Sequence, residues 1–223
     1  MGALVDLVKV LYEPTAVFGR VREKPRFLAP FAAIAALQIV IGFLQLPYLR
    51  AAMASAYAQM AQQNPQAAAT AQKFVWIGLV LAPIAIAFVL VIGAVLLWVL
   101  VSIVGGEGKF GTLLSVTTYA FSTGVLLQIV GLAVLMLKGA ANVTSPEDLQ
   151  PALGLDLLAP SAGRFATAVL KSFNPFSLWG VALTAIGIQT THGTSRGAAY
   201  TAAGGAFVIG VLIAGAFALL RRG

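Results

Sequence analysis

The sequence predicts an all-α integral membrane protein, with five transmembrane helices, an N-terminal interfacial helix and short helices in the loops. Three observations predict it. Only 9% of the 223 residues are charged and 60% are hydrophobic, with a mean hydropathy of +0.94. A soluble domain carries roughly 25% charged residues, so these few charges cannot cover a water-soluble surface of this size. Five apolar runs reach or approach the ~20 residues that cross a bilayer: Leu28 to Leu46, Trp76 to Val104, Leu113 to Leu137, Pro175 to about Gln189, and Thr201 to Leu220. The basic residues stand near the ends of these runs, where anionic headgroups lie. The net charge of +7 therefore points to a lipid surface as partner and not to nucleic acid.

Residues 1–27 form the N-terminal interfacial segment and residues 28–223 one five-helix membrane domain. The first 27 residues hold five basic and three acidic side chains and no apolar core of the kind a cleavable signal needs. From Ala3 to Arg22, Leu4, Leu7, Val8, Leu11 and Phe18 fall near helical spacing, with Pro14 expected to break or kink the helix. Such a helix lies in the interface or packs on the rest of the protein. Glu13 is out of place beside anionic lipid. It is either a solvated acid before the helix break or a partner for Lys109.

The loop from Pro47 to Lys73 is rich in Ala and Gln, with Tyr48, Met53, Tyr57 and Met60 at helical spacing. It should be a helix pair broken near Asn64-Pro65. The loop from Lys138 to Asn174 carries Ser145-Pro146-Glu147-Asp148: an N-cap, a Pro at the first helical position and two acids in the first turn. Phe165, Val169 and Phe173 mark a second short helix that feeds Asn174-Pro175. Five basic residues precede the first span (Lys9, Arg20, Arg22, Lys24, Arg26) against two in the next loop (Arg50, Lys73), which favours a cytoplasmic N-terminus. The complete count, with Arg221 and Arg222, is seven on each side, so the first helix decides. Such a layout suits a bacterial inner membrane.

Gly106, Gly108 and Gly111 match G-x-G-x-x-G in letters. A dinucleotide site needs a strand before the glycines and an acid about 20 residues on. Here a long apolar helix precedes them, and the next acid after Glu107 is Glu147. The glycines instead build a hairpin between spans two and three: Gly105 and Gly106 supply positive φ to stop the helix, and Gly108 permits the reversal.

No enzyme pattern emerges, and no cofactor or metal is expected. There is no cysteine, which excludes thiolate chemistry and cysteine-rich metal sites. His192 is the single histidine, near a helix end where it is structural or solvated; Ser195 is close by but no nucleophile elbow surrounds it. No charged residue lies at mid-membrane depth in any of the five runs, where one would mark a transport path. Polar residues do line up: Thr112, Ser115, Thr118, Tyr119 and Ser122 share one face of span three, and Gln38 and Gln45 are aligned on span one. Such stripes glue helices by interhelical hydrogen bonds or line a polar cavity. On span five, Ala198, Ala202, Ala206, Gly210, Ala214 and Ala218 recur every fourth position. They allow close approach of another helix, within the molecule or in a homo-oligomer.

The order of these features resembles the Yip domain family, the Ypt/Rab-interacting integral membrane proteins and their bacterial relatives. A long apolar helix leads to a glycine-rich turn with Phe-Gly and a helix bearing Ser, Thr and Tyr (Val104 to Ser122). Leu11 to Phe31, "LYEPTAVFGRVREKPRFLAPF", is similar to the family's lead-in, with its acid-Pro step, aromatic and basic turn. Phe173 to Gln189, "FNPFSLWGVALTAIGIQ", is similar to a helix of the bacterial branch. The resemblance implies a five-helix domain with a cytoplasmic N-terminus. In eukaryotic members it implies Rab GTPases and vesicle-coat machinery as partners. The expectation is a non-enzymatic protein that organises membranes or binds other membrane proteins. The alternative is a permease for a small solute or lipid, built on Ser115, Tyr119, Ser122 and Gln38.

Overall fold

The computed structural model describes residues 2–150 and 153–220, and among them every regular element is helical. Arg221 and Arg222 lie outside the described residues. The elements are α1 (Gly2–Lys9), α2 (Pro14–Glu23), α3 (Leu28–Gln63), α4 (Pro65–Ile103), α5 (Phe110–Ala120), α6 (Ser122–Lys138), α7 (Arg164–Ser172), α8 (Pro175–His192) and α9 (Arg196–Leu220), with single 3₁₀ turns between α6 and α7. Four runs are long and apolar enough to cross a membrane: α3, α4, the 29 residues of α5 and α6 together, and α9. The expected fifth span, α8, forms as an 18-residue helix but falls short of that standard, because Gln189, Thr190, Thr191 and His192 end it.

The first loop proves to be two helical extensions of the spans. α3 continues through Pro47 to Gln63, and α4 begins at once at Pro65. The break falls where the sequence puts it: the Asn64 side chain accepts the Ala67 N–H (3.0 Å) and Pro65 takes the first helical position, where a missing N–H costs nothing.

Two compact units emerge. One is drawn from Met1–Ala33, Phe88–Gly124 and Ala152–Gly223, the other from Ile34–Ala87 and Val125–Pro151. In the first unit α2 packs on α5 and α8, α8 on α9, and α7 on α9. Its core has two clusters. Val10, Val17, Phe18 and Val21 meet Val116, Tyr119 and Leu183, while Leu97 and Val101 meet Leu113, Ile188 and a row of alanines on α9. In the second unit Ala52, Leu135 and Val143 cluster, and the Phe43 and Trp76 rings meet edge-on at 5.4 Å.

Where the sequence predicts a helix start capped by Ser145, a single 3₁₀ turn forms (Pro146–Leu149), and Asp148 rather than Ser145 supplies the side-chain acceptor. Asp148 accepts the backbone N–H groups of Thr144 (2.9 Å) and Ser145 (3.1 Å) and pairs with Lys138. These donors hold its carboxyl well below the usual carboxylate range, the Lys138 contact most of all.

Candidate functional site

The two helices of the N-terminal segment differ in burial. The sequence expects Pro14 to break or kink the helix; the structure shows a break, with α1 ending at Lys9 and Pro14 opening α2. α1 leaves Leu4, Val5 and Val8 at least half exposed, whereas Val17, Phe18 and Val21 of α2 are buried. Phe18 reaches Gly187 on α8, where a Cβ would lie 2.5 Å from Val116 Cγ1 and 3.1 Å from Phe18 Cζ. The absence of a side chain at Gly187 is what lets α2 dock.

Docking brings Tyr119 of α5 to the basic turn. With Asp6, Arg20, Glu23, Lys24 and Arg26 it lines a polar pocket of about 270 Å³. Arg20 Nη2 bonds Asp6 Oδ1 at 2.6 Å. Asp6, and not Glu13, is thus the acid paired with the lead-in cations. Glu13 is exposed at the start of α2, its side chain caps nothing, and it is absent from the ion pairs among the described residues. Lys109 is likewise exposed.

The turn from 105 to 109 divides its glycines by task. Gly105 has φ +83°, and the bonds Gly106 N–H to Val101 O (2.9 Å) and Gly105 N–H to Ser102 O (3.2 Å) close a Schellman cap on α4. Gly106 needs no positive φ; it is needed for space, since a Cβ there would meet Val101 Cγ1 at 2.8 Å and Thr194 Cγ2 at 2.9 Å. Gly108 sits under Trp98, whose Nε1–H donates to its carbonyl (3.0 Å). Gly111, by contrast, faces open space within α5.

His192 fastens this turn from the far side. Its Nε2 accepts the Lys109 N–H at 3.2 Å. The one hydroxyl proton of Thr191 goes to Gly187 O (2.7 Å), so Thr191 Oγ1 accepts from His192 Nδ1–H at 2.7 Å. Both ring nitrogens are therefore engaged by the neutral imidazole. Ser195 is occupied too, with Oγ accepting the Ala198 N–H at the start of α9 (3.2 Å).

The polar stripe of α5 turns inward. Ser115 and Thr118 are fully buried and Tyr119 is 2% exposed. Ser115, Thr117 and Thr118 donate to the carbonyls of Gly111, Leu113 and Leu114, each one turn back on the same helix. Ser122 Oγ is buried without a partner. In the second unit Gln38 is buried and its Nε2 is unpartnered. On α9 the buried positions are Ala199, Ala203, Val211 and Gly215, one residue along from the face read in the sequence. Ala202 of that face is buried, but Gly210 and Ala214 are exposed. Sequence reasoning missed the Asp6–Arg20 pair and the Trp98–Gly108 bond; neither leaves a mark in spacing or composition.

Apolar helices of this length, with a docked amphipathic lead-in, define a multi-span helical membrane protein. The chain belongs to the Yip1 domain family, whose model matches residues 8–219. Over 215 residues it is 29% identical to Membrane protein YknW of Bacillus subtilis (strain 168), an alignment that covers 93% of this chain and 87% of that protein. No solved structure matches it.

Proposed function

We propose that this Yip1-family protein is non-enzymatic and organises membranes or binds other membrane proteins, with its N-terminus in the cytoplasm of a bacterial cell and α8 making a fifth crossing. The observation that carries the reading is the disposition of α5. The hydroxyls of Ser115, Thr117 and Thr118 bond their own helix, and α5 packs on α2 and α8, so this part of the stripe serves the fold. The engaged nitrogens of His192 and the capping role of Ser195 support the non-enzymatic part. Large apolar side chains stay exposed along α4, with Val80, Ile84 and Phe88 at 65%, 59% and 67%. That surface is available to lipid or to another membrane helix.

The test is photo-crosslinking in native membranes, with a benzophenone side chain placed at Val80, Phe88 or Gly210. A discrete protein adduct at one face supports the reading. Lipid adducts alone at every position would sink it. A second reading, the permease, draws on the orphaned Ser122 hydroxyl, since a buried polar atom without a partner calls for an explanation, and a bound water or ligand is one. Solute efflux from proteoliposomes that Ser122→Ala abolishes would favour it over the first.

A further inference from the structure

The second unit carries a groove that neither reading uses. It is about 710 Å³ in volume, within the range of about 300–1,000 Å³ that small-molecule sites occupy. It lies between the last turns of α3 and the first turns of α4. Ala54, Ala58 and Ala61 line one side and Ala69 the other, so short side chains hold the slot open. Arg50 and Lys73 also line it. Neither is in an ion pair among the described residues, and residues 34–87 contain no Asp or Glu at all. The groove thus offers two positive charges and no negative one.

The position of those charges identifies the ligand. Arg50 lies four residues past Leu46, where the first apolar run ends, and Lys73 three before Trp76, where the second begins. At 1.5 Å per residue these are about 6 Å and 4.5 Å along the helices, which is headgroup depth on both. Trp76 itself lines the membrane end of the groove, and tryptophan favours that boundary. Beyond the cations, Tyr57 and Gln72 supply a hydroxyl and an amide, suited to a hydroxylated group.

We infer that this groove binds the headgroup of an anionic phospholipid: the phosphate on Arg50 and Lys73, the hydroxylated portion beside Tyr57 and Gln72, and the acyl chains left in the bilayer beside Trp76. The inference rests on the bilayer placement of α3 and α4 alone, and not on the partner reading above.

The experiment uses the full chain, delipidated in detergent and titrated with phosphatidylglycerol, phosphatidic acid or phosphatidylcholine, with bound lipid counted by native mass spectrometry. Wild type should retain phosphatidylglycerol at least tenfold better than phosphatidylcholine. Arg50→Gln with Lys73→Gln, both exposed positions, should lose at least tenfold in phosphatidylglycerol and leave phosphatidylcholine unchanged. Ala58→Leu keeps both cations and fills the slot. It should weaken phosphatidylglycerol but not phosphatidic acid, which has nothing beyond its phosphate. Unchanged phosphatidylglycerol in the double variant overturns the site. Unchanged phosphatidylglycerol in Ala58→Leu overturns the groove and leaves a bare surface charge effect. A soluble glutamate-rich peptide that displaces phosphatidylglycerol and depends on the same cations would assign the groove to a protein and overturn the lipid.

Discussion

His192 connects two turns far apart in sequence, and its chemistry makes that connection sensitive to pH. Burial lowers its pKa from the ordinary 6.5, and the nearby Lys109 charge acts in the same direction. A base whose folded pKa is depressed binds fewer protons folded than unfolded. Stability is therefore complete above 6.5 and is lost as pH falls toward the folded value. Protonation also turns Nε2 from acceptor to donor, against the Lys109 N–H. Thermal unfolding in detergent should show a midpoint that drops between pH 7 and 5 in wild type and stays flat in His192→Gln. A flat wild-type profile would mean the bond to Lys109 is not made. The glycines of the same turn should separate in the same assay. Gly105→Ala forces a side chain to φ +83° and should cost about 1–2 kcal/mol. Gly106→Val overpacks and should cost about 1–3 kcal/mol. Gly111→Ala should be neutral or stabilising by up to about 1 kcal/mol. Three glycines within seven residues differ because one answers to a dihedral angle, one to a neighbour and one to neither.

At the scale of the element, α2 is held by its apolar face. Phe18 is fully buried, and Phe18→Ala should cost about 3–5 kcal/mol with faster amide exchange across residues 14–23; exchange that is unchanged would mean that α2 is held by something other than Phe18. On α9 the structure places the seam on Gly215, where a Cβ would strike the Phe165 ring at 2.7 Å, and not on Gly210, where it meets nothing. Gly215→Leu should lower the folded yield while Gly210→Leu is tolerated. Loss of an oligomer in Gly210→Leu alone would identify the exposed face as an intermolecular one. These helices show which parts of the structure the sequence makes legible. The break at Asn64-Pro65 and the turn after Ser145 were readable because their signals are local: a capping side chain, a proline, an acid three residues on. The docking of α2 was half readable, since the apolar set marks a face but not what it covers. On α9 Ala202 and Ala206 of the predicted face pack in the core, while Gly210 and Ala214 of it are exposed and Val211 and Gly215 are buried instead. Small side chains fill both faces of that helix, so periodicity alone could not choose between them.

For the whole molecule, the four long apolar helices settle membrane residence, while sidedness depends on α8. Its apolar run ends early because the last turn serves the hairpin, with His192 accepting the Lys109 N–H and Thr191 holding the imidazole. With α8 crossing, the two chain ends fall on opposite faces. Alkaline phosphatase fused after residue 223 should be active and a fluorescent protein there dark. The reverse result would return α8 to one face and the count of crossings to four. The family was legible in the order of weak motifs along the chain, because order survives where no single apolar motif is distinctive.

The unbroken passage of α3 through Pro47 has a mechanical consequence. Residues 28–46 and 48–63 make two arms of about 28 Å and 24 Å at 1.5 Å per residue, joined with no loop. Proline has no N–H to offer the carbonyl of Phe43, so the rod is weakest at the membrane boundary. A sideways force applied near Gln63 would bend α3 at Pro47. The projecting arm would swing on this hinge, and little of its movement would reach residues 28–46.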